Sequence, residues 1–432
     1  MHVLILGGYG FIGLEITRRL SAAGHAVTAV GRSPSVGART LPGVRWLLHD
    51  IALLDNPALW LDYLRDIDIV VNASGALQDS PRDSLKSVQD TAIIALIAAC
   101  EQTSVRRFVQ ISAPGANVES STEFMRSKAR ADQRLKTSAL EWTILKPGLV
   151  IGASAYGGSA LIRALASFPL VQPLVLADRK IQTVALTEVA DMVRMAIERR
   201  LPAQSEFDLV EPEPHTLREI VTRFRRWLGM PPPRHTVSVP NWVANAVSRI
   251  ADGLAYLGWR SPLRTTSLQV LRGNVIGDPR PLHAALGRHL SSLDQTLEDM
   301  PSNVQERWFA RLYLALPIMI GVLSAFWLLT GLVALLDVER ATRVLSESAL
   351  SPSVTQIAVI GGSLCDIALG AAIVFRPWAK AACFGMVAVT LFYLAAGTVL
   401  TPELWMDPLG PLLKTLPAMV LALVTAGLLE NR

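Results

Sequence analysis

Short apolar runs separated by polar and amphipathic stretches open the chain, the rhythm of strands and helices in alternation. His2–Leu6, Ala26–Val30, Val44–Leu48, Ile67–Asn72, Arg107–Ser112 and Trp142–Lys146 read as six strands. The pattern predicts an α/β domain with a doubly wound parallel sheet. From Arg307 onward the rhythm gives way to long apolar segments. Leu312–Leu336 carries no charge, Ile357–Phe375 is interrupted only by Asp366, and Ala381–Leu400 is a third span. Leu409–Leu429 is a fourth, with Lys414 near its start, where a long side chain can snorkel to an interface. A bilayer core is about 30 Å thick and takes about 20 apolar residues to cross, so an all-α domain of four transmembrane helices is expected.

The predicted organisation is a nucleotide-binding domain with a substrate-side lobe over 1–235, a connecting region over 236–306 and a membrane domain over 307–432. Pro231-Pro232-Pro233 ends the helix before the connecting region. Within that region, Trp242, Val243, Ala246, Val247, Ile250, Leu254 and Leu257 recur close to helical spacing, with Arg249, Trp259 and Arg260 nearby. Such a helix lies on a membrane surface or packs on its own domain; the spacing serves both.

Loop charges set the expected orientation. Arg307 and Arg311 flank the first span, and Arg376 and Lys380 fill the short turn between the second and third. The connection between the third and fourth has Glu403 and Asp407 and no base, whereas the first loop is mixed. The short-loop bias places both termini and the N-terminal domain in the cytoplasm, with the chain multi-pass in a cell inner membrane. Trp308, Trp378 and Trp405 fall near the expected interfaces. The N-terminus agrees: Met1-His2 supplies no basic region, and the first apolar run breaks at Gly7-Gly8, so no signal peptide is expected.

Composition adds exclusions. Of 432 residues, 51% are hydrophobic and 18% charged, against about 25% charged in an average soluble protein. General disorder is thereby excluded. The net charge of +5 arises before Gln305 and is spread thinly, which argues against nucleic acid as a partner. Cys100, Cys365 and Cys383 are far apart and suit neither zinc nor a disulfide framework; they read as packing cysteines. His215, His235, His283 and His289 share no ligand spacing with acids or cysteines, so no metal is expected.

The chemistry concentrates at the start. His2–Leu6 runs into Gly7-Gly8-Tyr9-Gly10-Phe11-Ile12-Gly13, followed by helix-forming residues and a second strand. Gly7 permits a sharp turn, Gly10 a close approach to a pyrophosphate, and Gly13 tight packing of helix on strand; the anion then sits on free N–H groups at a positive helix end. After the second strand come Gly31-Arg32-Ser33 in place of the carboxylate that would bind an NAD ribose. A guanidinium pairs instead with a 2′-phosphate, so Arg32 and Ser33 favour NADP and leave NAD open. Asp50-Ile51 follow the third strand, where a carboxylate can reach the adenine. Asn72, Ala73 and Ser74 end the fourth strand beside the expected crevice.

With Gly7-x-x-Gly10-x-x-Gly13, Arg32, Asp50-Ile51, Ser112 and Lys146-Pro147-Gly148, residues 1–300 resemble the short-chain dehydrogenase/reductase superfamily, most specifically over 1–155. The match is to its atypical NAD(P)-binding branch, similar to NmrA-like and complex I NDUFA-nine-like proteins, and implies a Rossmann-type sheet. The later part resembles a DoxX-like domain, carried by Phe326–Leu332, by Gly361-Gly362-x-x-x-Asp366-x-x-x-Gly370 and by Phe375-Arg376-Pro377-Trp378-Ala379-Lys380.

The resemblance implies roles and exposes a departure. The superfamily's hydride chemistry uses a Tyr and a Lys four residues apart, the Lys lowering the phenol pKa and holding the nicotinamide ribose. Lys128 matches, Ser112 and Pro147 are implied at the site, and Phe124 stands where the Tyr would be. A phenyl ring has no proton to give. Three readings stay open. Another group is the acid, although Glu123 points about 100° away around the helix and Ser112 is a poor acid alone. Alternatively, hydride passes to a quinone or other lipidic substrate that needs no positioned acid. Finally, the domain binds NAD(P)(H) as a non-catalytic sensor or assembly module. Asp366, an ionisable group in mid-membrane, is a candidate proton relay or quinone contact, or a structural hydrogen bond between helices. Gly361, Gly362 and Gly370 would let the bundle pack against its own copies or a membrane partner.

Overall fold

The computed structural model describes residues 1–32, 35–76, 79, 84–343 and 351–429. These form two compact units: Met1–Gly253 with Ser261–Arg311, and Leu254–Arg260 with Leu312–Arg432.

The first unit is built on seven parallel strands: β1 (His2–Leu6), β2 (Ala26–Gly31), β3 (Arg45–Leu48), β4 (Ile69–Asn72), β5 (Arg107–Ile111), β6 (Glu141–Pro147) and β7 (Ser205–Leu209). Their order across the sheet is β3-β2-β1-β4-β5-β6-β7. The direction in which successive strands are added reverses between β1 and β4, the position at which a parallel α/β sheet opens a crevice at the carboxyl ends of its strands. Both faces are covered. In β1, Val3 and Ile5 enter one core with Ile16, Leu20, Val189 and Val193, while Leu4 and Leu6 enter the other with Trp60, Val70, Ile93 and Phe108. Burial on two sides is why β1 is apolar at consecutive positions rather than alternating. The seventh strand was not expected from the sequence.

Helices α1 (Phe11–Ala22), α2 (Ala92–Cys100), α3 (Glu123–Lys136) and α5 (Leu186–Ile197) flank the sheet. Helices α4 (Gly157–Ala166) and α6 (Leu217–Trp227) form a smaller lobe on a core of Ile162, Leu174, Ile220, Phe224 and Leu293. Helix α7 (Asn241–Tyr256) occupies the connecting region, matching the predicted periodicity.

Among the described residues, three helices are long and apolar enough to cross a membrane: α8 (Val304–Leu336), which belongs to the second unit from Leu312 onward, α9 (Pro352–Ala372) and α10 (Arg376–Leu400). The fourth expected span is shorter than its hydropathy suggested. Helix α11 covers only Thr415–Leu428, 14 residues, or about 21 Å at 1.5 Å per residue. Pro408, Gly410 with its left-handed φ of 56°, and Pro411 keep the preceding stretch out of the helix. Small residues bring α8 and α9 together: Ser324 Oγ donates to the Gly370 carbonyl at 2.8 Å, and a Cβ on Gly331 would lie 2.5 Å from the Ser363 carbonyl oxygen. Leu323, Trp327, Ala382, Met386 and Ala422 are buried at its centre.

Candidate functional site

The glycine loop connects β1 to α1. Gly7 adopts φ +70°, its N–H donates to the Val30 carbonyl at 3.1 Å, and its carbonyl accepts from Gly10 N at 2.9 Å. A side chain at position 7 would come within 2.9 Å of the Ala73 carbonyl oxygen and Ser74 Cα, so the loops after β1 and β4 touch through a glycine. At position 13 a Cβ would overlap the Gly7 carbonyl oxygen and lie 2.8 Å from its carbon. Gly8 is similarly confined against the Ala29 side chain at 2.7 Å. Gly10 is the N-cap of α1 and offers no side-chain cap, and the first turn of α1 contains no acidic residue. An anion can therefore meet the helix N–H groups without competition or repulsion. The loop fits the diphosphate of a dinucleotide.

Tyr9 turns toward β2, where a Cβ at position 31 would overlap its ring. Position 31 is thereby reserved for glycine. Beyond it, Arg32 Nη1 lies 3.9 Å from Asp50 Oδ2, each side chain about one-third exposed. Asp50 also caps a short turn by accepting from Ala52 N at 3.1 Å. Ile51 is buried in the core, and Ile12 packs against the core on the other face. Ser33 lies outside the described residues.

A second cluster sits at the ends of β4 and β5. Asn72 is buried; its Nδ2 donates to Gln110 Oε1 at 2.9 Å, while its Oδ1 accepts from Ser74 N at 3.0 Å and Ser74 Oγ at 2.5 Å. The amide is thus committed to shaping the loop. Gly75 lies beside Lys128: a Cβ there would be 3.7 Å from Nζ. Thr122 caps α3, accepting from Met125 N at 3.4 Å, and the helix carries Phe124, Lys128 and Asp132 one turn apart. Lys128 is buried; Nζ donates to the Ile111 carbonyl at 2.9 Å and stands 5.8 Å from the centre of the Phe124 ring. Burial pulls its ammonium down to about 8, with Asp132 opposing the shift.

Ser112 Oγ donates to Asp132 Oδ2 at 2.5 Å. Burial raises the Asp132 carboxyl above its ordinary range, against the Ser112 hydrogen bond and the charge of Lys128. Its other oxygen, Oδ1, has no hydrogen-bond partner among the described residues. Asp132 was not recognised from the sequence, although its four-residue spacing from Lys128 was a usable signal. Where the superfamily's phenol would stand, Phe124 offers no hydroxyl, and the Ser112 proton is engaged by Asp132.

The two clusters meet where the Gly7 loop touches Ala73 and Ser74. On the lobe side, Phe11 stacks on Tyr156 with ring centres 5.8 Å apart, which brings the start of α4 against the start of α1. Pro147 ends β6, paired with Leu209, and is buried. In the second unit Asp366 Oδ1 accepts from Tyr393 Oη at 2.9 Å, joining α9 to α10.

Residues 7–163 match the NAD(P)H-binding family model, and residues 324–423 match that of the DoxX-like family. The chain is thus similar to the NAD(P)H-binding family over its first strands and helices, which form a Rossmann-type parallel sheet, and to the DoxX-like family over its apolar helices. It is 24% identical over 198 residues to an uncharacterized chloroplastic protein of Arabidopsis thaliana, an alignment that takes in 44% of this chain and 65% of the plant protein, less than two thirds of its length. Among solved structures, Bordetella bronchiseptica WbmH in complex with NAD+ is similar at TM-score 0.53 and 15% identity, covering 72% of this chain and 98% of that one. Bacillus cereus UDP-glucuronic acid 4-epimerase, in complex with UDP-glucuronic acid and NAD, is similar at TM-score 0.52 and 15% identity, covering 72% of this chain and 100% of that one. At these identities the likeness is one of fold.

Proposed function

We propose that this protein is a membrane-anchored NAD(P)(H)-binding module that holds its dinucleotide without the alcohol–carbonyl chemistry of the superfamily. A nicotinamide dinucleotide, when bound, supplies a hydride donor or acceptor. The residues suited to hold it are Gly7, Gly8, Tyr9, Gly10, Phe11, Ile12 and Gly13 at the diphosphate, and Arg32, Ser33, Asp50 and Ile51 at the adenosine end. Asn72, Ala73, Ser74, Lys128 and Pro147 would serve toward the nicotinamide. NADP is favoured because the Tyr9 ring excludes any side chain, a carboxylate included, from position 31, while Arg32 follows with a guanidinium. The cytoplasmic face of a cell inner membrane suits the basic turn at Arg376 and Lys380.

One observation carries the non-catalytic reading: the place of the proton donor is a phenyl ring beside Lys128, and Ser112 donates to Asp132. Phe124→Tyr tests it in the full detergent-solubilised chain. Wild type is expected to bind NADPH, followed by fluorescence, without reducing aldehydes or ketones, and the variant to gain measurable reductase activity. Wild-type carbonyl turnover would overturn the reading.

A second reading is favoured by the membrane unit: hydride transfer to a quinone or other lipidic acceptor, for which no positioned phenol is required. Tyr156, stacked on Phe11 at the start of α1, is half exposed, and Leu170 is exposed on the same lobe, apolar surface of the kind a lipidic substrate would need. Anaerobic mixing of the NADPH-bound chain with a short-chain quinone separates the two. Oxidation faster than in Lys128→Ala at equal NADPH occupancy supports the enzyme; equal rates support the module.

A further inference from the structure

Helix α7 is oriented contrary to the usual rule for a soluble domain. Its small residues, Ala244, Ser248, Ala251 and Ala255, are buried, whereas its large apolar residues face outward. Trp242 is 73% exposed and Ile250 63%, and Val247 and Leu254 are also exposed. At about 100° per residue these four fall on one arc of the helix, with Ala246 and Gly253 between them. One border of the arc is polar and fixed: Asp252 Oδ1 accepts from Arg264 Nε at 3.1 Å, and Asn245 Oδ1 from Arg272 Nη2 at 2.8 Å. Arg249 and Tyr256 lie between that border and the apolar arc, in the position where a basic and an amphipathic side chain flank a buried face. The helix is thus tied down by its polar border and small-residue face, with its apolar arc left uncovered.

The end of α7 says what covers it. Leu254–Arg260 belong to the second unit. There the Leu257 carbonyl accepts from Arg376 N at 2.9 Å, Trp259 Nε1 donates to the Val374 carbonyl at 2.6 Å, and the Arg376 guanidinium lies 5.6 Å from the Trp259 ring centre. These contacts are made to the turn between α9 and α10, two helices long and apolar enough to span a bilayer. Such a turn lies at the membrane–water boundary, and Trp259, exposed Trp378 and Lys380 are the residue types that collect there. A helix of 16 residues is about 24 Å long, so the apolar arc starts at the boundary and stays within that reach of it.

We propose that α7 is an interfacial helix whose Trp242, Val247, Ile250 and Leu254 face is immersed in the headgroup–acyl boundary of the bilayer. The inference rests on the second unit spanning a membrane, and the test reads that premise separately. The full chain carrying Cys365→Ser is reconstituted into phosphatidylcholine–phosphatidylglycerol vesicles, with a nitroxide on Ile250→Cys, on Glu298→Cys or on Leu364→Cys. Collision with oxygen, which concentrates in lipid, is compared with collision with a water-soluble nickel chelate. The oxygen-to-nickel ratio is expected to be at least about threefold higher at position 250 than at exposed position 298, and to approach that at position 364. A ratio at 250 equal to that at 298 would refute the proposal, leaving α7 solvated. Shielding of 250 from both reagents would also refute it and identify protein, either this chain or a second copy, as the cover. A water-like ratio at 364 would instead remove the membrane premise.

Discussion

A methyl group at position 10 discriminates between a loop that is merely tight and one built to receive a diphosphate. Gly10 has φ −69° and ψ 171°, which alanine adopts without strain. A Cβ there would have one neighbour within 4 Å, the Gly7 carbonyl oxygen at 3.1 Å, and otherwise points into open space. The local contact is relieved by a shift of a few tenths of an ångström, and the lost freedom of glycine in the unfolded chain contributes about 0.4–1 kcal/mol in the other direction. Gly10→Ala should therefore keep the stability of the ligand-free protein within about 1 kcal/mol of wild type. Binding should respond differently, because the methyl holds a phosphate away from the N–H groups at the start of α1. Loss of one charge-assisted hydrogen bond costs about 1.5–3 kcal/mol, a rise in Kd of roughly 10- to 100-fold. Gly13→Ala supplies the contrast. Its Cβ would press on backbone, the Gly7 carbonyl and Gly8 Cα, so stability should fall by about 1–3 kcal/mol as overpacking does. Thermal unfolding and calorimetric titration with NADPH on the full chain measure both quantities. Unchanged affinity in Gly10→Ala would refute the assignment of this loop to a diphosphate.

Arg32→Ala should raise the Kd for NADPH by about tenfold or more while changing that for NADH less than about twofold, since only the former carries the 2′-phosphate a guanidinium can pair with; equal losses for both would remove Arg32 from cofactor selection. Lys128→Met should alter the pH dependence of stability. Because burial lowers the Lys128 pKa from 10.5 to about 8, the folded state sheds this proton before the unfolded state does. Its destabilising contribution is full below pH 8 and is relieved between pH 8 and 10.5, by at most about 3 kcal/mol. Wild type should gain stability relative to Lys128→Met across that interval in urea titrations of the full chain; a constant difference would show that burial does not hold the ammonium down.

What could be read from the sequence depended on whether the relevant signal was local. β1, the glycine loop and the start of α1 were legible because turn, close approach and apolar run follow one another within a single stretch, and each restricts the allowed residue types. β7 was missed because Ser205–Leu209 has only Phe207 and Leu209 buried, too short an alternation to stand out from a loop. Hydropathy hid the shortness of α11: the average over Leu409–Leu429 is apolar, and the proline and glycine at its start are what determine where the helix begins. At the candidate site, Lys128 was identified by its spacing from Phe124, but Asp132 reads as one more polar residue on an otherwise charged helix. Its meaning appears only when β5 delivers Ser112 to the same side of α3, an encounter between residues distant in sequence. The same holds for Tyr9 and Gly31, each ordinary alone, which together bar a side chain from the end of β2. In α7 the periodicity established the helix but not its facing. The spacing picked out Trp242, Val247, Ile250 and Leu254 as the apolar face, and only packing reveals that Ala244, Ala251 and Ala255 went inside and that face out, an inversion that a bilayer, as the solvent on that side, would stabilise.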